Sequence, residues 1–392
     1  MAGEDDGEIT RLLRRRLPSS AGPLDDDDIM AEILLRLPPR PSSLLRSSLV
    51  CTRWRRLVSD PRFLRRFRAH HRAPPLLGFF SRSPLRGVIR FTPALDSPDH
   101  VPAARFCLRL DEPDDWEILS CRHGRVLVVN REQLQVLLWA PVTGDQRCVA
   151  FPPAFGGEEK KFVRNGVVSC AAGEEGHVHG SCHSNPFQVI LLGCSRKGFF
   201  ACVYSSETGA WGNLISLISY QLPDHPFCCS STVVGNSIYS LLTEPTLAIL
   251  EFDFNRQSLV AIEVPSDAID LDLFAHGGCQ FLIAPADGGG FSFVVLSGFN
   301  ARLWKRRANS DGFAGWVLKD TIELSNLLSL RPGVDTQPPR IIGFAEDDNV
   351  IFLWTDIGAF MVNLESRQFK KLTVRMRRRL HHPFRSFFPA GI

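Results

Sequence analysis

Two kinds of period divide this chain. From Asp25 the apolar positions recur at helical spacing. Ile29, Ile33, Leu34 and Leu37 fall four, one and three residues apart, behind a run of aspartates, Asp25 to Asp28, that offers an N-cap and negative charge for a helix start. Pro38 and Pro39 end that helix, because proline has no amide hydrogen for the ladder and restricts the residue before it. Ser42 and Ser43 offer the next cap. Beyond them Leu45, Leu49, Val50, Trp54, Leu57 and Val58 lie along one side of a helix, or of two short helices bent near Cys51. Arg46, Arg53, Arg55 and Arg56 take the other faces. Asp60 and Pro61 restart the chain as a cap and a first-turn proline, and Phe63, Leu64 and Phe67 continue the apolar side.

From about residue 76 the helical period gives way to short runs rich in Val, Ile, Leu and Phe, separated by Gly, Asn, Asp and Pro turns. "RVLVV", "FFACVYSSETGAWGNL", "SIYSLL", "ILEFDFNRQSLVAIEVP" and "VIFLW" read as strands and hairpins. A small polar turn between two strands recurs at Thr143 and Gly144, Thr208 and Gly209, Asn255 and Arg256, and Glu365 and Ser366. Its spacing, roughly 50 to 60 residues where it can be followed, is near the period of kelch-type blades. The expected fold class is α+β multidomain: a small N-terminal helical domain followed by an all-β, kelch-like degenerate β-propeller, with a β-sandwich pair as runner-up. A ring of small sheets buries faces that one sheet cannot bury alone. The expected boundaries are a flexible basic tail over 1–23, the helical domain over 24–71, a linker over 72–76, the β domain over 77–372 and a frayed basic tail over 373–392.

Composition narrows the class. A chain of 392 residues exceeds what one core usually supports, and 44% hydrophobic with 22% charged residues is the balance of a globular protein. No apolar run approaches a membrane span, and the acidic start lacks the features of a signal peptide. Eleven scattered cysteines, two of them adjacent at Cys228 and Cys229 and none in a C-x-x-C pair, argue against a disulfide framework and for the cytoplasm or nucleus. The net charge of +3 makes no case for nucleic acid. The arginines of "LVCTRWRRLVSDPRFLRRF" surround an apolar stripe on several sides, so they read as a solvated face whose stems cover apolar surface.

The helical stretch "LDDDDIMAEILLRLPPRPSSLLRSSLVCTRWRRLVSDPRF" resembles an F-box of the form found in large plant families. The shared elements are Ile33 and Leu34 before "RLPP", Ser43 and Leu44, then Val50, Cys51, Arg53, Trp54, Leu57, Asp60, Pro61 and Phe63; Pro23 then Leu24 stands where many members have Leu-Pro. The remainder is similar to F-box-associated β domains in "VVGNSIYSLL" and "ILEFDFNRQSLVAIEVP". The resemblance implies a substrate-receptor subunit of an SCF-type ubiquitin ligase, docking a SKP-family adaptor and through it cullin and RING subunits. The β domain would hold a protein substrate, with no catalysis and no cofactor of its own. The adaptor contacts it implies are Leu24, Ile29, Ile33, Leu34, Leu37, Pro38, Leu45, Leu49, Val50, Trp54 and Leu57, with Trp54 open between core and interface. A module this small, carrying about a dozen large apolar residues, also needs outside burial on general grounds.

Other chemistry is sparse. There is no Walker A loop, H-E-x-x-H, G-x-S-x-G elbow or EF-hand pattern. "HVHGSCH" places His177, His179, Cys182 and His183 within one short stretch; these are zinc-ligand types, but with no second cluster the segment reads as a structural loop. His123 and Gly124 read as a hairpin turn. The alternatives to a ligase subunit are a ligand- or carbohydrate-binding propeller with an incidental F-box, and an enzyme on a propeller scaffold, for which no nucleophile, base and orienting residue emerge.

Overall fold

The computed structural model describes residues 26–387 apart from 84–87, 111–115, 157–160, 172–178, 180–181, 183–184, 219–227, 243–247, 269–278, 287–289, 309–313, 332, 334–336 and 374–375. The chain divides into two compact units, one running through Arg72 and the other from Ala73 to Pro389.

The first unit holds α1 (Asp27–Leu35), α2 (Pro41–Ser48), α3 (Thr52–Ser59) and α4 (Pro61–His71). Asp26 caps α1: its carboxylate accepts from the Asp28 amide at 2.8 Å and the Ile29 amide at 3.4 Å. The helix α2 begins on Pro41 as a first-turn proline, one residue before the serines marked as caps by the sequence, and Cys51 separates it from α3. Asp60 caps α4, accepting from the Arg62 amide at 2.7 Å. Met30, Ala31, Leu34 and Leu35 on α1 meet Leu44, Val58, Phe63 and Phe67 in one small core, with Leu37, Trp54, Leu57 and Leu64 packed against it. Pairs at i and i+4, Met30 with Leu34 and Ala31 with Leu35, set the inward face of α1.

The described strands of the second unit form six antiparallel sheets. The first contains β1 (Leu76–Arg82), β2 (Val88–Pro93) and β3 (Leu108–Arg109); the second β4 (Trp116–Arg122), β5 (Arg125–Asn130), β6 (Gln135–Trp139) and β7 (Gln146–Ala150). The third contains β8 (Phe162–Cys170), β9 (Phe187–Ser195), β10 (Gly198–Ser205), β11 (Ala210–Trp211) and β12 (Ile215–Ile218); the fourth β13 (Cys228–Val234), β14 (Ser237–Leu242), β15 (Ala248–Asp253) and β16 (Ser258–Glu263). The fifth contains β17 (Cys279–Pro285), β18 (Phe291–Ser297), β19 (Asn300–Ala308) and β20 (Ala314–Glu323); the sixth β21 (Arg340–Ala345), β22 (Val350–Thr355), β23 (Gly358–Asn363) and β24 (Phe369–Lys371). A last strand, β25 (His382–Arg385), returns to pair with β1 and completes the first sheet. This is a six-bladed propeller; a sandwich pair would need two face-to-face sheets instead.

The six interfaces between neighbouring blades explain why many strands read as continuous apolar runs. On β5, Val126 and Val128 pack toward Leu77, Phe80 and Phe91 of the first blade, while Leu127 and Val129 pack toward Val189, Leu191 and Phe200 of the third. On β18, Phe293 and Val295 join the fourth blade, and Val294 and Leu296 join the sixth. Alternation is intact, but both faces are buried, so it leaves no polar stripe in the sequence. The recurring turn is the hairpin between the third and fourth strands of four blades. In each, the fourth residue after the start turns left-handed: Gly144 at φ 84°, Gly209 at 69°, Gln257 at 47° and Arg367 at 58°. Asp253 and Asn363 brace two of these turns by accepting from amides two and three residues on. At the rim, the Trp211 indole donates to the Ala150 carbonyl and the Trp316 indole to the Glu263 carbonyl, each tying a blade to the end of the preceding blade's outer strand.

The basic end, read from sequence as a frayed tail, supplies β25 in its 382–385 stretch. Four residues containing a proline carry no local strand signal. They are ordered because β1 presents an unpaired edge and because Phe384, fully buried, fills the first interface beside Phe80, Phe91 and Phe106.

Candidate functional site

Two surfaces concentrate functional potential, one on each unit. On the helical unit the apolar residues divide sharply. Ile29 (43% exposed), Ile33 (42%), Leu45 (39%), Leu49 (70%) and Val50 (60%) lie outside the core, and Pro38 is exposed beside them in the chain. Ile29 and Ile33 are one turn apart on the outer side of α1, and Leu45 and Leu49 are one turn apart at the end of α2. Leu37, Trp54 and Leu57 are half-buried against the unit's core. Leu34, grouped with the contact residues by its motif position, is 1% exposed and belongs to that core: it stands one residue from Ile33, which on a helix turns it to the other face. Leu24 lies outside the described residues. The single stripe expected from Leu45 to Val58 is therefore two populations, because the break at Cys51 reorients α3 and sends Val58 inward.

The arginines have structural partners. Arg53 Nε donates to the Asp27 carboxylate at 2.7 Å, Arg66 pairs with Glu32, and Arg55 donates to the Ser48 carbonyl at 3.4 Å. These contacts tie α1 to α3 and α4, and α3 to α2. Each exposed pair contributes modestly, about 0 to 1 kcal/mol.

On the propeller, the innermost strands β4, β8, β13, β21 and β25 line a cavity of about 190 Å³ at the centre. Register slips mark β4, β8, β13 and β21, at Ile118/Ser120, Val163/Asn165, Cys228/Ser231 and Ile341/Gly343. Such bulges locally break the ladder and re-aim the side chains beside them. Arg122 pairs across the cavity with Glu346, whose other oxygen accepts from the Val233 amide at 3.2 Å. Burial pushes the Glu346 carboxyl up, and Arg122 opposes that rise. Arg385 pairs with Asp348 and donates to the Pro74 carbonyl at 3.1 Å. Burial, reinforced by His381, drives His382 down to about 4, and it lowers His381 as well. These charges come from separate blades and act as fixings between them.

The sequence cluster at 177–183 divides as follows. His177 and His183 lie outside the described residues. His179 and Cys182 are placed on the connection between β8 and β9, and His123, read as a turn residue, meets them. His123 does occupy the β4–β5 turn at φ 52°, followed by Gly124 at φ 75°.

The family patterns that match this chain agree with this architecture. The F-box-like family pattern matches residues 27–70, and the β-propeller of the F-box protein AT5G49610-like family matches residues 117–390. F-box protein At5g07610 of Arabidopsis thaliana is 23% identical over 383 residues, covering 89% of this chain and 85% of that protein. The putative F-box/kelch-repeat protein At3g17540 of Arabidopsis thaliana is 24% identical over 259 residues, covering 62% of this chain and 59% of that relative's length. A solved structure of a functionally unknown protein from Desulfotomaculum acetoxidans aligns with TM-score 0.39 and 11% identity, over 80% of this chain and 100% of that one. With an F-box-like head and a propeller matched over more than half its length, the chain belongs to the F-box protein AT5G49610-like β-propeller family.

Proposed function

We propose that this chain is a substrate-receptor subunit of an SCF-type ubiquitin ligase, working in the cytoplasm or nucleus. The F-box docks a SKP-family adaptor, the adaptor links to cullin and RING subunits, and the propeller holds a protein substrate. The observation that carries this reading is the row of uncovered apolar side chains on a unit whose own core is already complete. Ile29, Ile33, Pro38, Leu45, Leu49 and Val50 form the adaptor contact, Leu37, Trp54 and Leu57 stand at its edge, and Leu34 supports it from within. The chain makes no covalent bond in this role. Tethering raises the local concentration of substrate lysines near the charged enzyme, so moderate affinity at each end suffices. The central cavity is smaller than the roughly 300 Å³ at which small-molecule sites usually begin, so the ligand-receptor alternative gains nothing from it.

The test is co-purification of the full chain with a SKP-family adaptor. Leu49→Asp places a charge where 70% of the side chain is exposed in the free protein. It is expected to leave the helical content unchanged and to weaken adaptor binding at least about thirtyfold, the effect of a hot-spot loss of about 2 kcal/mol. Undiminished binding by a folded Leu49→Asp protein, or failure of the wild-type chain to bind any SKP-family member, refutes the assignment.

A further inference from the structure

The β4–β5 turn and the β8–β9 connection belong to different blades, yet they bring three metal-binding side chains to one point. Ligand atoms of His123, His179 and Cys182 all lie within 4.8 Å of one another. Cys182 Sγ stands 3.5 Å from His179 Nδ1, and the two imidazoles are 4.0 Å apart between centroids, tilted by 48°. A tetrahedral zinc ion, with Zn–N near 2.05 Å and Zn–S near 2.3 Å, holds a nitrogen and a sulfur ligand about 3.5 Å apart. One edge of the tetrahedron already has that length.

We propose that His123, His179 and Cys182 bind a zinc ion, with water in the fourth position. A thiol–imidazole hydrogen bond would account for the contact between Cys182 and His179. It gives no reason for a second imidazole to converge on the same point from another blade. Two imidazoles and a thiolate are a borderline-soft donor set that suits zinc and excludes magnesium or calcium, which take oxygen ligands. Arg125, 2% exposed, is held beside the connection that carries Cys182 by donating to the Asn185 carbonyl at 2.8 Å and by stacking over Phe187 at 4.7 Å, which fixes a cation next to this loop. Cys182 is fully buried, whereas His123 and His179 border the central cavity, so the fourth position faces that opening. The bound ion cross-links the β8–β9 connection to the β4–β5 hairpin and sets the shape of one side of the cavity's mouth.

The experiment titrates the reduced, chelator-stripped full-length chain with Co²⁺ and then Zn²⁺, and needs no adaptor or substrate. The expected result is one equivalent of Co²⁺ with tetrahedral d–d bands and a thiolate charge-transfer band, displaced by stoichiometric Zn²⁺. Cys182→Ser should lose the charge-transfer band. His123→Asn, chosen because asparagine tolerates the left-handed turn, should weaken binding at least about tenfold with an unchanged circular dichroism spectrum. Cys170→Ser should leave the titration as it was. Absence of Co²⁺ uptake by the folded chain overturns the proposal, as does wild-type affinity in folded His123→Asn. The His123 variant is decisive on its own if Cys182→Ser does not fold.

Discussion

Replacing Phe384 by alanine tests how the propeller ring is closed. The ring of Phe384 has no solvent exposure and sits 5.1 Å from Phe80, 5.6 Å from Phe106 and 6.4 Å from Phe91, between centroids. It stands opposite Gly78 on β1, where a β-carbon would come within 2.4 Å of the Phe91 ring. Aromatic atoms therefore already occupy the space a side chain at 78 would need, and the packing around Phe384 has little freedom to collapse into a cavity. Removing a fully buried phenylalanine without collapse costs about 3 to 5 kcal/mol, against a typical domain stability of about 5 to 15 kcal/mol. The strand carrying it is four residues long and pairs with β1 alone, so the loss falls on the joint between the first and last parts of the ring. Urea unfolding of the full chain would read the effect. Trp139, 5.1 Å from Phe80 in the same interface, makes near-ultraviolet dichroism a suitable probe of the propeller transition. Phe369→Ala is the comparison: that side chain is 47% exposed on the outermost strand of its blade, and its loss should stay within about 0.5 kcal/mol. The reasoning fails if Phe384→Ala costs under about 1 kcal/mol, or no more than Phe369→Ala.

His382 gives a pH dependence with a definite sign. Its imidazole is held neutral in the fold, with a pKa of about 4 against 6.5 when unfolded, so its contribution is complete above pH 6.5 and is lost as pH falls from there toward 4. Between pH 7 and pH 5 the propeller should lose about 1 to 2 kcal/mol that a His382→Gln variant retains, measured by paired denaturation curves; identical slopes for the two proteins would disprove it. Gly193 lies where a β-carbon would meet the Phe162 carbonyl and the Phe200 ring at 2.4 Å, so Gly193→Ala should cost about 1 to 3 kcal/mol. Gly212→Ala, with its nearest neighbour at 3.4 Å, should be close to neutral, and equal unfolding midpoints for the two variants would contradict the geometry.

The helical face shows how motif position and burial differ as guides. Ile33 and Leu34 are adjacent in the motif, yet one is 42% exposed and the other 1%. Hydrophobicity marks both for burial, and helical rotation then separates what the unit keeps from what it offers. The arginines settle in the opposite direction. Their scatter around the stripe reads as a solvated face, yet Arg53, Arg66 and Arg55 reach Asp27, Glu32 and the Ser48 carbonyl and brace the helices. In the propeller, the fixings of the cavity were invisible one segment at a time. Arg122 and Glu346 are far apart in sequence and each looks like an ordinary surface charge until the blades are assembled.

Local chemistry was enough to write the helices, the aspartate caps of the first and last of them, the prolines, the change of period near residue 76 and the polar turns of four hairpins, because each depends on backbone preferences over a few neighbouring residues; the serines at 42 and 43 do not cap α2, which starts on Pro41 without a side-chain cap. The family resemblance likewise rests on contiguous residues. Three features had no such local cause. The strand at 382–385 exists because another strand, some three hundred residues earlier, offers it an edge. The exposed set on the helices depends on how four short elements pack. The meeting of His123 with His179 and Cys182 requires two blades to stand side by side, which linear spacing does not encode; those contacts are set by the closure of the ring.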